Sequence, residues 1–218
     1  MILDGKISLT VLDNKSLNNK NYVLRFERKN IIFKEGQYLL LSLQNFHSRE
    51  YSIYSGVDDN FFEVLIRELE VGNISKKLRM LQAGDQIYAD GPFGHFVLND
   101  KHLKQNKLHY FIATGTGISP FHSFVKSKAN LFYKLIHGIK TKSDKYNFKD
   151  YENYTSCISK DKEGDFSGRV TDYLKNDKID SSNTVFYICG NNWMAFDVLD
   201  ILREKSVACK NIKTEIYF

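Results

Sequence analysis

The rhythm of the chain changes near residue 100, and that change constrains the fold more than any other feature. Before it, short apolar segments follow one another with turn residues between them. Lys6–Leu12, Asn21–Glu27, Tyr38–Leu43, Arg49–Tyr54, Phe61–Arg67 and Gln86–Ala89 have strand character. Only Gly72–Leu81 has helical spacing, at Ile74, Leu78 and Leu81. Strands this short and evenly spaced predict a small antiparallel barrel. Asn99–Lys107 is rich in Asn, Asp, Lys and His, and after it strands alternate with helices. Leu108–Ala113, Leu131–His137, Tyr154–Ser159, Val185–Cys189 and Ile212–Phe218 read as strands. Arg169–Lys175, Trp193–Lys205 and a segment opening at Ser119-Pro120 read as helices, with Ser119 as N-cap. That alternation predicts a doubly wound, mostly parallel sheet. The expected architecture is two domains, an antiparallel β-barrel over residues 1–100 and an α/β doubly wound parallel sheet over residues 101–218.

Composition narrows the function classes. Of 218 residues, 42% are hydrophobic and 26% charged, which excludes a disordered chain. No apolar run approaches the ~18 residues that span a bilayer. The start of the chain lacks the basic-then-apolar order of a signal peptide. A cytoplasmic protein with no membrane association is expected. A net charge of +5 is too small to argue nucleic-acid binding and suits an acidic protein partner. Cys157, Cys189 and Cys209 form no CxxC pair, which speaks against a disulfide framework and an iron–sulfur site. Six histidines stand without ligand spacing, so no metal is expected. No Ser/His/Asp order supports hydrolase chemistry.

Five segments can carry chemistry. In Arg49-Glu50-Tyr51-Ser52, strand alternation puts Arg49 and Tyr51 on one face and Ser52 on the other. A fixed guanidinium can hold a pyrophosphate, and a ring beside it can stack on a flat heterocycle. An edge strand with an ordinary surface arginine reads equally well. Gly72-Asn73-Ile74-Ser75 offers helix-start amides to an anion, or is a plain helix cap at Asn73. Gly91-Pro92-Phe93-Gly94-His95-Phe96 reads as a tight structural turn. Ala113-Thr114-Gly115-Thr116-Gly117-Ile118 follows a buried strand, where a dinucleotide pyrophosphate would sit, although the third glycine of GxGxxG is missing. Cys189-Gly190-Asn191 ends a parallel strand, where open α/β sheets bind ligands; Cys189 alone reads as a small core residue.

In this order the segments resemble the ferredoxin–NADP reductase superfamily over nearly the whole chain, through Arg-x-Tyr-Ser, Gly-x-x-Ser, Gly-Pro-Phe-Gly, Gly-Thr-Gly-Ile-x-Pro, Cys-Gly-Asn and a terminal aromatic. Ser167-Gly168-Arg169-Val170-Thr171-Asp172 resembles the bacterial-type ferredoxin/flavodoxin–NADP reductases. The resemblance implies FAD and NADP as cofactors and a ferredoxin or flavodoxin as electron partner. It places Arg49 at the FAD pyrophosphate, Tyr51 on the isoalloxazine and Ser52 beside flavin N5. Gly72, Asn73, Ile74 and Ser75 would hold phosphate, with Ile66 also at the cofactor. Thr116 and Gly117 would meet NADP, and Cys189 and Gly190 would line the nicotinamide pocket. Ser52, Cys189 and Glu215 are the implied catalytic residues. Either Tyr217 or Phe218 would stack on the flavin, with Phe218 favoured.

Around the expected 2′-phosphate, Lys140 and Lys160 replace arginines common in the family, and Ser159 and Arg169 stand beside them. Lysine binds phosphate as a point charge without the bidentate fork. The set still favours NADPH over NADH. Two other activities share the resemblance: an NAD(P)H:flavin reductase, and the reductase component of an oxygenase.

Overall fold

The computed structural model describes every residue except 1, 4, 5, 45, 46, 72, 73, 162 and 218. Gly72, Asn73 and Phe218, all expected cofactor contacts, therefore lie outside the described residues. In chain order the elements begin with β1 (Ile2–Leu3), β2 (Lys6–Ser16), β3 (Asn21–Glu27), β4 (Tyr38–Ser42), β5 (Arg49–Ser52) and β6 (Phe61–Arg67). Then come α1 (Ile74–Arg79), β7 (Gln86–Phe93), α2 (Asp100–Lys104), β8 (Leu108–Thr114), α3 (Ser119–Ser127), β9 (Tyr133–Ile139) and β10 (Tyr154–Ile158). The chain closes with β11 (Phe166–Ser167), α4 (Val170–Asn176), β12 (Thr184–Asn191), α5 (Asn192–Glu204) and β13 (Ile212–Tyr217). Among the described residues no helix is long and apolar enough to cross a membrane.

Two compact units result. One comprises residues 1–97 together with α3; the other comprises residues 98–118 and 128–218. The first unit is an antiparallel sheet ordered β5-β4-β7-β2-β3-β6, with β1 paired to β2. Its two outer strands meet: Ile53 bridges Val64, and the Tyr54 amide donates to the Glu63 carbonyl at 2.7 Å. That contact closes the sheet into the expected barrel. Alternating residues fill it, among them Leu9, Leu24, Phe26, Leu39, Phe62 and Val64.

Helix α3 packs on this barrel. His122 stacks on Tyr54 with ring centroids 3.7 Å apart, and its Nδ1 lies 2.6 Å from the Tyr54 carbonyl. The Val57 amide donates to Ser127 Oγ at 2.9 Å. A helix from the later part of the sequence thus contributes to the core of the first unit.

The second unit is a six-stranded parallel sheet ordered β11-β10-β9-β8-β12-β13. Strand β8 lies inside the sheet. The chain winds from it through β9 and β10 to β11, then returns to β12 on the other flank. The topological switch point therefore falls between β8 and β12. Strands β8 and β12 are buried almost end to end, as helix-covered parallel strands must be.

Several boundaries differ from the sequence expectation. Strand β7 does not stop at Ala89 but runs through Gly91-Pro92-Phe93 and pairs Phe93 with Tyr38. A register shift between Tyr38 and Leu40 absorbs the extra length, and Gly91 at φ 115° supplies the backbone that few other residues adopt. Strand β2 continues through the polar residues 13–16 because they pair with β3. The polar stretch after Asn99 forms α2, where Asn99 Oδ1 accepts from the Lys101 amide at 2.9 Å. Ser119 is not an N-cap: a 3₁₀ turn over Gly115–Ile118 leads directly into α3.

Candidate functional site

In the first unit, β5 pairs with β4 so that Arg49, Glu50, Tyr51 and Ser52 face Leu41, Leu40, Leu39 and Tyr38. The strand is exposed at Arg49, half-buried at Tyr51 and buried at Ser52. Burial pushes the Tyr51 hydroxyl up to about 12, opposed by the nearby Arg49 charge. Strand alternation puts the guanidinium and the ring on one face of β5. Arg49 Nη1 donates to the Ser48 carbonyl at 3.1 Å, and among the described residues no carboxylate pairs with it. An exposed cation beside a half-buried ring fits the phosphate and flat heterocycle of FAD.

Ser75 is buried at the start of α1. Its Oγ accepts from the Leu69 amide at 3.1 Å, and its carbonyl accepts from the Tyr22 hydroxyl at 2.5 Å. Those bonds tie the first turn of α1 to β3 and to the chain that follows β6. Ile66 is 1% exposed and packs in the barrel core opposite Tyr22, so its side chain is a core group.

In the second unit the residues at the carboxyl ends of β8 and β12 interlock. A Cβ on Gly117 would come within 2.4 Å of the Cys189 carbonyl oxygen, and one on Gly190 within 2.2 Å of Thr114 Oγ1. Gly117 is therefore demanded by backbone approach, and Gly190 by the Thr114 side chain and its own φ of 148°. Thr114 Oγ1 accepts from the Asn191 side-chain amide at 3.1 Å, and Asn191 Oδ1 caps α5 through the Met194 amide at 3.0 Å. Gly115 differs: it has φ 54°, and a Cβ there would meet nothing within 4 Å. The turn thus has an open side at Gly115, as a phosphate would require.

Cys189 pairs in register with Glu215 on β13, and both sit on the face shared with Tyr217. Cys189 is fully buried. Burial raises its thiol well above the usual range and the Glu215 carboxylate adds to that, while a hydrogen bond from Tyr217 opposes both. Burial thus favours the neutral thiol over the thiolate at Cys189.

Lys140, Ser159 and Lys160 come together beyond the ends of β9 and β10. The Ser159 amide donates to the Ile139 carbonyl and the Lys160 amide to the Lys140 carbonyl, each at 3.1 Å. Arg169 follows Gly168, whose amide donates to the Ile158 carbonyl at 3.0 Å. All four residues are exposed. Among the described residues no carboxylate pairs with the Lys140, Lys160 or Arg169 side chain. The acids nearby are engaged elsewhere: Glu163 with the Lys142 ammonium, Asp161 with the Lys142 amide and Asp172 with the Arg169 amide. Three unpaired cations at one sheet edge fit an adenosine phosphate.

Sequence reading gave no role to Thr114, Asn191 or His137. For His137 a signal existed: a histidine inside an apolar strand, next to a glycine.

Residues 6–98 match the oxidoreductase FAD-binding domain, and residues 111–200 match the oxidoreductase NAD-binding domain. A probable dihydroorotate dehydrogenase B electron transfer subunit from Pyrococcus abyssi is 30% identical over 182 residues, covering 82% of this chain and 67% of that one. The chain belongs to the ferredoxin–NADP reductase superfamily. It is an FAD- and NAD(P)-binding oxidoreductase of that family. A flavodoxin/ferredoxin–NADP reductase from Buchnera aphidicola subsp. Schizaphis graminum is 25% identical over 217 residues, covering 83% of this chain and 84% of that one. A ferredoxin NADP+ reductase from Neisseria gonorrhoeae, solved with bound FAD and NADP, shares the fold at a TM-score of 0.89. It is 22% identical, and the match covers 99% of this chain and 100% of that one. Other relatives are longer: the chain spans 59–63% of three dioxygenase reductase components.

Proposed function

We propose that the chain is a bacterial-type reductase that uses NADPH to reduce a ferredoxin or a flavodoxin. FAD and the nicotinamide, when bound, supply hydride and single-electron chemistry. The protein binds and orients them. Residues 1–100 form the FAD-binding barrel domain in this reading and residues 101–218 the NAD(P)-binding domain. Arg49 holds the FAD phosphates, with Ser75 and the amides of the 72–75 segment, and Tyr51 offers its ring to the isoalloxazine. Ser52 lies one residue further along, beside the flavin. Gly115, Thr116 and Gly117 carry the dinucleotide pyrophosphate, and Cys189 and Gly190 wall the nicotinamide. Glu215 lies opposite Cys189 in register on β13 and sets a carboxylate beside that wall. Tyr217, turned toward Cys189, and Phe218 beyond it provide the terminal aromatics.

The observation that carries NADPH over NADH is the set Lys140, Lys160 and Arg169 at one sheet edge, each without a carboxylate partner among the described residues. A 2′-phosphate adds roughly −1.5 to −2 charges at neutral pH and gains from every one of them. The net charge of +5 suits an acidic electron carrier. Three unpaired thiols, two of them buried, suit a reducing cytoplasm.

The test is steady-state reduction of a ferredoxin and of a flavodoxin with each dinucleotide. kcat/KM is expected to favour NADPH, and Lys160→Ala to shrink that preference. A ratio near one, unchanged in the variant, would remove the 2′-phosphate assignment. A second reading has its own support in the Pyrococcus relative, named as an electron transfer subunit. A subunit of that kind would reduce neither carrier and would copurify with a larger oxidoreductase.

A further inference from the structure

We propose that His137, oriented by Tyr154, is a positioning residue that sets the Gly115–Gly117 turn for the dinucleotide. The inference rests on the reading of that turn as the pyrophosphate site. His137 stands near the end of β9, opposite Ala113 of β8 and Ser156 of β10, and is fully buried. Its Nε2 lies 2.8 Å from the Gly115 carbonyl oxygen. A carbonyl only accepts, so Nε2 carries the proton and Nδ1 bears the lone pair. Nδ1 lies 3.0 Å from the Tyr154 hydroxyl, which therefore donates to it. The geometry selects one tautomer, and Tyr154 holds the ring in it. Burial keeps the imidazole neutral, with a pKa lowered to about 4.

The consequence lies in the peptide plane. In a trans peptide the C=O and the next N–H point in opposite directions. Drawing the Gly115 carbonyl toward β9 turns the Thr116 N–H the other way. The same glycine has φ 54° and open space where a side chain would be. On the β12 side the turn is blocked by the Cys189 carbonyl against Gly117 and tied through Thr114 to Asn191. On the β9 side, the clamp is His137. Without it the Gly115 carbonyl loses its partner on β9, and the peptide is free to rotate and present an oxygen to an anionic ligand. That weakens phosphate binding at this turn.

The experiment uses the FAD-loaded holoprotein and titration calorimetry with NADP+ and with adenosine 2′,5′-bisphosphate. The second ligand keeps the adenosine phosphates and lacks the second phosphate of the pyrophosphate and the nicotinamide. His137→Leu should bind NADP+ about tenfold more weakly and the bisphosphate with less than about threefold change. His137→Gln, which restores a donor, should recover most of the loss. Tyr154→Phe should weaken NADP+ alone and add nothing in the His137→Leu background, because Tyr154 acts through the imidazole. Equal losses for both ligands, or unchanged NADP+ affinity with only a lower Tm, would overturn the proposal. If His137→Leu does not fold, Tyr154→Phe decides: NADP+ affinity equal to wild type would overturn it. Failure of the wild-type holoprotein to bind either NADP+ or NAD+ would instead refute the dinucleotide reading beneath it.

Discussion

Arg49 shows how much rests on single side chains. It stands exposed on β5, with Tyr51 on the same face, and among the described residues its side chain bonds to the carbonyl of its neighbour Ser48. An arginine kept in that state is available for a bidentate contact with phosphate. Losing such a charge-assisted contact costs about 2–3 kcal/mol, which is thirtyfold or more in affinity. Arg49→Ala should therefore purify with depleted flavin and bind added FAD more weakly, with its Tm in the apo form unchanged. Fluorescence titration with FAD reads this directly, and an unchanged dissociation constant would count against the assignment. Strand alternation alone made it legible that Arg49 and Tyr51 share one face of β5. It did not reveal why Gly117 and Gly190 are glycines. They lie in two motifs expected to meet the dinucleotide, yet each is required by a strand packed against it, and only the fold brings that strand there. Ile66 shows the reverse: a position expected at the cofactor carries a side chain that fills the barrel.

Strands with strong apolar patterns were legible to the residue, as with Asn21–Glu27 and Phe61–Arg67. Elements whose partners lie far along the chain were not. The polar residues 13–16 fall outside the expected strand until β3 pairs with them, and Gly-Pro-Phe looks like a turn until Tyr38 pairs with Phe93. The parallel sheet also has a cost that its histidines set. His109 on β8 and His137 on β9 are buried, His102 on α2 is partly so, and burial lowers all three pKa values. Below the ordinary value of about 6.5 the unfolded chain takes up protons that the folded sheet refuses. Stability is therefore full above that pH and falls as pH drops, for His137 until about pH 4. Between pH 6.5 and 5 the loss is about 2 kcal/mol for a histidine that stays neutral. Carboxylates with lowered values, such as Asp165 and Glu70, act mainly below that window. Urea unfolding at pH 7, 6 and 5 should show the decline, and His137→Gln should flatten it. Equal declines in wild type and variant would contradict the assignment.

The whole molecule is two units with different jobs, each matched by its own domain family. The change of rhythm near residue 100 announced both. It did not announce that α3 belongs to the core of the first unit, since nothing in residues 119–127 tells which aromatic cluster they will join. In the proposed function the two units serve one reaction, in which NADPH reduces a flavin held by this chain. The most direct measurement is the visible absorbance spectrum of the purified protein, recorded anaerobically after adding NADPH and, separately, NADH. The account predicts a flavin band that persists through gel filtration and is bleached by NADPH faster than by NADH. A colourless protein that binds no added FAD, or a bound flavin that neither dinucleotide bleaches, would contradict it.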